Sequence, residues 1–342
     1  MPMRRETFHL LQPRPYPALL SLVIPMYNEE AVVPHLRTAI ENFMGEVEGA
    51  VEVILVNDGS VDATLALIAS WAAEDSRVKV IHLSRNFGHQ IACTAGLDYA
   101  SGDAVVLLDA DLQHPLPVIH EMIGHYRGGY DVVYAAGLVR KGESWSKRAT
   151  AWLFYRLMRT LVYSRLPADA GDFRLISRNC LDGLRKMRET HRFLRGMVTW
   201  VGYAQIAVPY ERSPRVAGKS KYPLHKMLMF AWTAATSFSI LPLRIIMTIG
   251  AVVTLFGIEE AVRAVLAKVF DWYTVPGWTS LMVVVSVIGG TILLSIGILG
   301  EYIGKLYEQS KERPLYLVAR TANIDMTLPA ETLHPLNHGE NR

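Results

Sequence analysis

The sequence predicts an α/β domain whose mostly parallel sheet is covered by helices on both faces, followed by two membrane-spanning helices. Four short apolar runs within about the first 110 residues, separated by helical stretches, indicate the sheet. Two long apolar segments near the C-terminus indicate the membrane helices. The chain has 342 residues, of which 51% are hydrophobic, and the excess lies after residue 222. We therefore expect one large domain with a membrane appendage.

The four apolar runs that predict the strands are LLSLVI, VEVILV, VKVIHL and AVVLL, at residues 19–24, 51–56, 78–83 and 104–108. Each run is short and ends in polar residues. Helical stretches at residues 29–43, 62–73 and 89–99 separate them. Strands that alternate with helices form parallel sheets, and ligands of such sheets bind beyond the carboxyl ends of the strands. The polar residues after all four runs are therefore expected to line one cleft.

Carboxylates dominate this predicted cleft, and they are Glu29, Asp58, Asp109 and Asp111. Neighbouring carboxylates repel one another unless a cation lies among them, and Mg²⁺ or Mn²⁺ shared with substrate phosphates is the simplest such cation. Gln113 is expected to add another oxygen ligand. The alternative is that the acids of the D-A-D sequence cap a helix or are solvated acids of a loop. Neither a G-x-G-x-x-G nor a P-loop motif follows a predicted strand, which argues against a dehydrogenase and a P-loop NTPase.

A basic segment, YERSPRVAGKSKYP at residues 210–223, offers the cations that a phosphate requires. It contains Arg212, Arg215, Lys219 and Lys221 and lies just before the predicted membrane region. It is predicted to bind a diphosphate in the cleft or a lipid phosphate. The alternative is a general attraction to anionic head groups.

The segment AGDFRLISR, residues 170–178, places Asp172 and Arg174 ahead of a predicted strand or strand–helix turn. From the residues alone, this pair is as consistent with a structural ion pair as with a functional site. Cys93 and Cys180 form neither a disulfide framework nor a metal-binding spacing. Cys93 lies in an Ala- and Leu-containing helical stretch and is predicted to be a core residue.

The membrane helices are predicted at about residues 243–269 and 279–303. Residues 279–300 carry no charge, and 22 residues at about 1.5 Å each are long enough for a hydrocarbon core of about 30 Å. Charged residues interrupt the first segment after residue 258, so an interfacial helix is the alternative there. Residues 223–241 are predicted to form an amphipathic juxtamembrane helix.

Positive residues flank the pair of predicted spans, which places the domain of residues 19–222 in the cytoplasm. Residues 307–342 are expected to form a cytoplasmic tail that is disordered after Arg320. Residues 1–18 lack a long apolar core and are interpreted as an N-terminal extension, not as a signal peptide. The net charge of only +3 argues against a nucleic-acid partner.

Seven segments carry a family resemblance: VIPMYNEE, VNDGSVDAT, LSRNFGHQ, LLDADLQHPLP, GDFRLISR, RVAGKSKY and LGEYIGKLYEQSKERPLYLV. Together they resemble the polyprenyl-phosphate glycosyltransferases, which are the dolichol-phosphate-mannose-synthase-like branch of glycosyltransferase family 2. The resemblance extends from about residue 20 to residue 318. The two-span C-terminus is most similar to the bacterial bactoprenol (undecaprenyl-phosphate) glucosyltransferases. The resemblance implies a GT-A (Rossmann-like) fold for residues 19–222.

The resemblance also implies the reaction and its partners. It implies an inverting transfer of a sugar from a nucleotide sugar, UDP-glucose by closest similarity, to undecaprenyl phosphate at the cytoplasmic membrane face, with Mg²⁺ or Mn²⁺ as cofactor. GDP-mannose, UDP-N-acetylglucosamine and UDP-aminoarabinose remain alternative donors, and a non-lipid acceptor is an alternative acceptor. The family suggests a homo-oligomer, a tetramer or a dimer. The segment HRFLRG replaces the Q-x-x-R-W signature of processive synthases, which favours a single transfer.

The family motifs assign roles to individual positions. The nucleotide-sugar residues implied are Pro25, Tyr27, Glu29, Asp58, Asp109 and Asp111. Asp109, Asp111 and Gln113 would hold the metal, and Asp172, with Asp111, would be catalytic. The residues implied to bind phosphate or acceptor are Arg140, Arg174, Arg215, Lys219, Ser220 and Lys221. Because the acceptor phosphate is largely dianionic at pH 7, an orienting role for Asp172 is at least as plausible as that of a base.

Overall fold

The parallel sheet predicted from the four apolar runs is present in the computed structural model, which describes residues 11–137, 170–211, 241–270 and 278–324. Its strands are β1 (Leu19–Met26), β2 (Ala50–Asn57), β3 (Val78–Leu83), β4 (Ala104–Leu107), β5 (Val132–Gly137), β6 (Ala170–Ser177), β7 (Gln205–Tyr210) and β8 (Val318–Ala322). The order across the sheet is β7-β5-β6-β4-β1-β2-β3-β8. Strands β1 to β4 pair in parallel, as expected, whereas β6 is antiparallel to both of its neighbours.

The helices of this unit are α1 (Val33–Glu46), α2 (Thr64–Glu74), α3 (His89–Tyr99), α4 (Val118–Arg127), α5 (Arg178–Arg185) and α6 (Leu194–Val201). Helix α3 has the predicted bounds, but α1 begins four residues later than expected. Asn28 adopts a left-handed conformation, with φ of 56°, and the chain turns before Pro34 enters the first helical turn. This turn uses the carbonyl of Glu29, which accepts from the amides of Val32 and Val33. The Tyr27–Glu29 stretch is therefore a loop at the sheet edge.

The core of the sheet unit lies under the helices because the central strands are apolar on both faces. Residues 20–26 of β1 and 51–57 of β2 are buried without interruption. Helix α3 packs directly on these strands through Gly96, where an added Cβ would collide with the side chain of Val23 and crowd Val56. This contact sets the distance between α3 and the sheet. It therefore also positions the first turn of α3, which begins at His89.

The chain after the predicted membrane region returns to this sheet. Strand β8 pairs antiparallel with the edge strand β3, and the Asn323 side chain donates to the backbone carbonyls of Ala72 and Val78. The hydroxyl of Tyr316 donates to a carboxylate oxygen of Asp98 at 2.8 Å. The prediction of a disordered tail after Arg320 is therefore wrong for the described residues up to 324, because they complete an edge strand.

Two long helices form the second unit, α7 (Leu241–Val269) and α8 (Trp278–Ser310). Each contains a stretch long and apolar enough to cross a membrane: Pro242–Glu259, with a mean hydropathy of 1.6, and Val287–Ser310, with 1.7. Many of their large apolar side chains are exposed, including Met247 at 70% and Leu293 at 72%. Exposed side chains of this kind are those that a bilayer, in place of a protein core, would cover. The predicted juxtamembrane helix lies outside the described residues, except for its last residue.

Candidate active site

The cleft lies where the order of the strands reverses. Strands β2 and β3 follow β1 on one side, whereas β4 pairs with β1 on the other side. Parallel sheets bind ligands at such a switch point, beyond the carboxyl ends of the strands. The loops after β1, β2 and β4 carry the predicted Tyr27, Asp58 and Asp109 to this edge. Pro25 lies one step inside it, buried within β1.

Asp58, directly after β2, holds the loop that leads into α3. One of its carboxylate oxygens accepts from the amide of Phe87 at 2.7 Å, and the other accepts from the amide of Gly88 at 2.9 Å. The side chain is almost fully buried. The two loops meet closely at Gly59, which has φ of 67° and where an added Cβ would lie 2.5 Å from the backbone of Arg85. The predicted contact of Asp58 with a base stays a prediction.

The loop after β1 is fastened to the loop after β2 by polar contacts. The Glu29 amide donates to the Thr64 hydroxyl at 2.8 Å, and the Val61 amide donates to the Asn28 side chain at 2.9 Å. Tyr27 at the head of this loop is 46% exposed. An exposed aromatic ring on a fixed loop is a suitable surface for stacking a base. The predicted nucleoside role of Tyr27 is thus compatible with its position.

The D-A-D loop after β4 has a strained turn. Leu112 adopts a left-handed conformation with φ of 56°, which is unusual for a residue with a branched side chain. The Gln113 amide donates to a carboxylate oxygen of Asp111 at 3.1 Å. Buried His114 stacks on Phe173, with ring centroids 4.7 Å apart, and its Nδ1 accepts from the Asp109 amide. Helix α4 begins only at Val118, so the aspartates do not cap it directly.

The chemistry of this loop fits a hard divalent cation bound largely through a substrate. Asp109, with 38% of its side chain exposed, and Asp111 both offer carboxylate oxygens at the cleft. Within the described parts of the chain, no three His, Cys, Asp or Glu side chains are grouped closely enough to hold a metal. Mg²⁺ and similar ions are usually held by one or two carboxylates together with substrate phosphates. The loop is therefore suited to hold a divalent ion jointly with the phosphates of a substrate.

Asp172 lies beside the D-A-D loop because β6 is antiparallel to β4. Their register pairs Leu107, the last residue of β4, with Arg174, so the residues after β4 leave the sheet next to the start of β6, where Asp172 lies. The imidazole Nε2 of His89 lies 3.6 Å from a carboxylate oxygen of Asp109 and 3.5 Å from one of Asp172. The two predicted functional aspartates are thus brought to the same side chain, which projects from the first residue of α3.

Four side chains surround the carboxylate of Asp172. His89 and the Gln90 amide face Oδ2, with the Gln90 Nε2 at 3.3 Å, whereas Arg174 and Arg195 face Oδ1 at 3.8 and 3.6 Å. Burial alone would raise the pKa of Asp172, but His89, Arg195 and Arg174 together lower it well below its ordinary value. A carboxylate held ionised in this way is a weak proton acceptor.

The environment of His89 favours its charged form. The carboxylates of Asp172 and Asp109, which lie 3.5 and 3.6 Å from its Nε2, raise the pKa of the imidazole, whose side chain is 44% exposed. The Cys93 thiol itself is fully buried, and burial raises its pKa. Burial likewise raises the pKa of Cys180 to about 12. The prediction that Cys93 is a core residue is confirmed by its burial.

The structure brings most of the predicted aspartates together but leaves five predicted phosphate ligands undescribed. Arg140, Arg215, Lys219, Ser220 and Lys221 lie outside the described residues. Sequence reasoning missed the roles of His89, Gln90 and Arg195. The H-Q pair opens a predicted helix directly after a strand end, which is a usable signal. Arg195 offered only its place in HRFLRG, where nothing indicates a partner 23 positions earlier.

Comparison with known proteins finds relatives that match most of this chain. Residues 21–185 match the family described as "Glycosyl transferase family 2". The chain is 43% identical to the uncharacterized glycosyltransferase YkcC of Bacillus subtilis (strain 168), over 89% of this chain and 94% of that protein. It is 38% identical to the bactoprenol glucosyl transferase of Shigella phage SfV, over 87% and 97%. It is 37% identical to the prophage bactoprenol glucosyl transferase homolog of Escherichia coli (strain K12), over 88% and 98%.

Among solved structures, mannosyl-3-phosphoglycerate synthase from Rubrobacter xylanophilus is similar over 64% of this chain and 73% of that chain. The TM-score is 0.47 and the sequence identity is 19%. The mixed sheet with its switch point between β1 and β4 is itself of the GT-A type.

Proposed function

Because this chain belongs to glycosyl transferase family 2, we propose that it transfers glucose from UDP-glucose to a polyprenyl phosphate such as undecaprenyl phosphate. The transfer is inverting and depends on Mg²⁺ or Mn²⁺. The proposal includes a cytoplasmic catalytic domain held at the membrane by α7 and α8. The acceptor and the sugar follow the two relatives that are named bactoprenol glucosyl transferases and match nearly over their full length.

One observation carries the proposal: the donor-side and acceptor-side aspartates approach one side chain. Asp109 and Asp172 both lie within 3.6 Å of the His89 Nε2. An inverting transfer needs its leaving group and its nucleophile on opposite sides of one carbon, within a few ångströms of each other. Two carboxylates this close, on neighbouring strand ends of a switch-point cleft, provide two adjacent sites.

The donor is proposed to bind across the ends of β1, β2 and β4. Tyr27, Glu29 and the loop that Asp58 fixes would line the nucleoside side of the cleft. Asp109, Asp111 and Gln113 would hold the divalent ion on the diphosphate. When bound, this ion stabilises the negative charge that develops on the departing diphosphate.

Asp172 is proposed to orient cations and not to remove a proton. In the reaction, an acceptor phosphate oxygen forms a bond to the anomeric carbon, and the bond from that carbon to the diphosphate oxygen breaks. The bonding electron pair leaves with UDP, so a dianionic acceptor needs no base. The lowered pKa of Asp172, caused by His89, Arg195 and Arg174 against its burial, supports the same conclusion.

The membrane part supports a lipid acceptor. Helices α7 and α8 each contain a span-length apolar stretch, and their apolar side chains are widely exposed. A catalytic domain attached to such helices meets substrates whose phosphate lies at the bilayer surface. The predicted basic loop at Arg215, Lys219, Ser220 and Lys221 immediately precedes this part in the chain, and we propose that it attracts the lipid phosphate.

The test is a donor panel. Purified full-length protein is mixed with undecaprenyl phosphate, Mg²⁺ or Mn²⁺ and, in separate reactions, UDP-glucose, UDP-N-acetylglucosamine, UDP-aminoarabinose or GDP-mannose. Mass spectrometry of the solvent-extracted lipid identifies the product, and NMR of its anomeric proton tests inversion. We expect a lipid-linked hexose from UDP-glucose, lost on chelation and lost in Asp111→Asn.

Each other outcome revises the proposal in a definite way. A lipid product from another donor would replace glucose but keep the reaction. Label that appears only in a water-soluble glycan would replace the lipid acceptor. Full activity in the presence of a chelator would overturn the proposed role of the D-A-D loop.

A further inference from the structure

The two oxygens of the Asp172 carboxylate face different sides of the site. Oδ2 faces His89 and Gln90, and His89 in turn contacts Asp109 of the proposed donor site. Oδ1 faces only the two arginines, Arg174 and Arg195, among the contacts of the described residues. Asp172 therefore separates the donor side from a cationic side.

Arg174 has little capacity left for a ligand. Its Nη2 donates to the carbonyl of Gly171 at 2.7 Å, and its Nε donates to the carbonyl of Asp172 at 3.4 Å. Only 4% of its side chain is exposed. Burial lowers the pKa of Arg174 to about 10, against the attraction of Asp172, so it stays charged at neutral pH. Its hydrogen bonds hold it against the backbone of residues 171 and 172, so its role is to position Asp172 and not to bind a substrate.

Arg195 differs from Arg174 in its exposure and in its hydrogen bonds. About a fifth of its side chain is exposed, at 21%. Its contact with Asp172 Oδ1, at 3.6 Å, is longer than a hydrogen bond, as is that of Arg174 at 3.8 Å. Its Nε is buried and finds no hydrogen-bond partner anywhere in the described parts of the chain. A buried guanidinium donor without an acceptor is unfavourable unless a ligand completes its contacts.

Gln90 fixes the place of Arg195 relative to Asp172. The amide nitrogen of its side chain donates to Asp172 Oδ2, and its oxygen accepts from the backbone amide of Leu194 at 2.9 Å. Leu194 is the first residue of α6, so Arg195 lies in the first turn of that helix. The N-terminal turn of a helix favours an anion, and one side chain thus joins that turn to the aspartate.

We infer that Arg195 binds the phosphate of the acceptor, beside the Oδ1 atom of Asp172. The inference rests on the proposed function. The planar guanidinium matches a phosphate through paired hydrogen bonds, which Lys cannot reproduce. Held there, an acceptor phosphate oxygen meets the anomeric carbon opposite the departing diphosphate, as inversion requires. No proton is transferred in this arrangement.

The experiment measures binding of farnesyl phosphate, a short soluble lipid phosphate, and of UDP with Mn²⁺, by calorimetry on full-length protein in detergent. Arg195→Gln is compared with Arg195→Lys and with Arg192→Gln. Arg192 is the matched control because its buried Nε likewise has no hydrogen-bond partner among the described residues, whereas its Nη1 donates to the Met187 carbonyl and no contact joins it to Asp172 among the described residues. We expect Arg195→Gln to weaken farnesyl phosphate binding about tenfold or more and to change UDP binding less than about twofold.

Arg195→Lys is expected to recover part of this loss, and Arg192→Gln to change both affinities equally or not at all. An equal loss of both ligands in Arg195→Gln would mean a structural role, and a loss of UDP alone would mean a donor ligand; either result overturns the inference. Wild-type protein that binds UDP but not farnesyl phosphate, and forms no lipid product, would overturn the proposed function itself. Unchanged lipid phosphate binding in an active Arg195→Gln variant would overturn only the inference.

Discussion

Asp58 and Asp172 are both enclosed carboxylates at the same sheet edge, but they are held in different ways. Asp58 accepts from two backbone amides, those of Phe87 and Gly88, which lie in the next loop of the parallel half. Asp172 is held by side chains from α3, β6 and α6. The first arrangement shapes a loop, whereas the second gathers positive charge. The same residue type therefore supports a binding surface in one place and an electrostatic centre in the other.

The largest expected effect is on turnover in Asp172→Asn. Loss of the charge leaves Arg174, Arg195 and His89 without their shared anion, so their positions relax. We expect turnover to fall by about 10²–10³, a range typical for removal of a preorganised charge contact. Steady-state kinetics with saturating lipid acceptor measures it. If turnover and acceptor affinity both remain near those of the wild type, Asp172 has neither role and the contrast with Asp58 disappears.

Asp58→Asn is expected to affect stability before chemistry. An asparagine offers one oxygen to two amides and turns its NH₂ group toward the other, which leaves one buried donor unsatisfied. The free energy of unfolding is expected to fall by about 1–3 kcal/mol, which lowers the melting temperature by several degrees. Thermal unfolding in detergent measures this loss, and Asp62→Asn is the control. Asp62 also accepts two amides, from Glu30 and Thr64, but it is less buried.

The pH dependence of stability tests the ionised state of Asp172. The pKa of Asp172 is lowered in the folded protein, so its charge stabilises the fold above the unfolded value of about 4. That contribution is lost as the pH falls toward the lower folded value. We expect the melting temperature of the wild type to exceed that of Asp172→Asn most at pH 6–7, with a gap that narrows below about pH 4. A gap that widens in acid would contradict the ionised state of Asp172.

Substitution of Gln90 tests whether the position of α6 relative to Asp172 depends on the one side chain that contacts both. Gln90→Glu keeps an acceptor for the Leu194 amide but replaces the donor to Asp172 with a second negative charge. We expect turnover to fall about tenfold, with UDP affinity changed less than about twofold. Gln90→Met removes both bonds at similar volume and should be at least as damaging. Equal activity of wild type and both variants would show that α6 is positioned independently of Asp172.

The contrast between the two aspartates also explains what the sequence could predict. Asp58 follows an apolar strand directly, and its amide donors lie in the next βα loop, so position and environment follow from the β-α alternation. The partners of Asp172 depend on β6 inserting antiparallel between β4 and β5, which no local pattern indicates. Strand β8, VARTA, is mostly exposed or half-exposed on an edge. It lacks the apolar signal of a central strand, and the sequence alone therefore predicts disorder for its last two residues.

Tyr316→Phe gives the smallest expected effect and tests how the far end of α3 is fixed. Asp98, in the last turn of α3, accepts from Tyr316 at 2.8 Å and from Arg188 at 2.9 and 3.0 Å. Burial, and then the charge of Asp98, raises the pKa of Tyr316 far above its ordinary value, so the hydroxyl remains a donor at any working pH. Removing this hydroxyl should lower the free energy of unfolding by about 1–2 kcal/mol, which corresponds to roughly 2–6 °C in melting temperature. Turnover should stay within about twofold of the wild type.

Arg188→Met is the stronger comparison for the same contact, because it removes the positive charge that pairs with the buried carboxylate of Asp98. Its melting temperature should fall further than that of Tyr316→Phe. Arg188 and Arg195 lie in one segment, residues 188–195. If turnover falls in Arg188→Met but is unchanged in Tyr316→Phe, this segment is what couples Asp98 to the position of Arg195. Loss of turnover in Tyr316→Phe would instead mean that the returning C-terminal strand sets the position of α3. In that case, contacts at both ends of α3, with Asp98 at one end and His89 and Gln90 at the other, determine the geometry around Asp172.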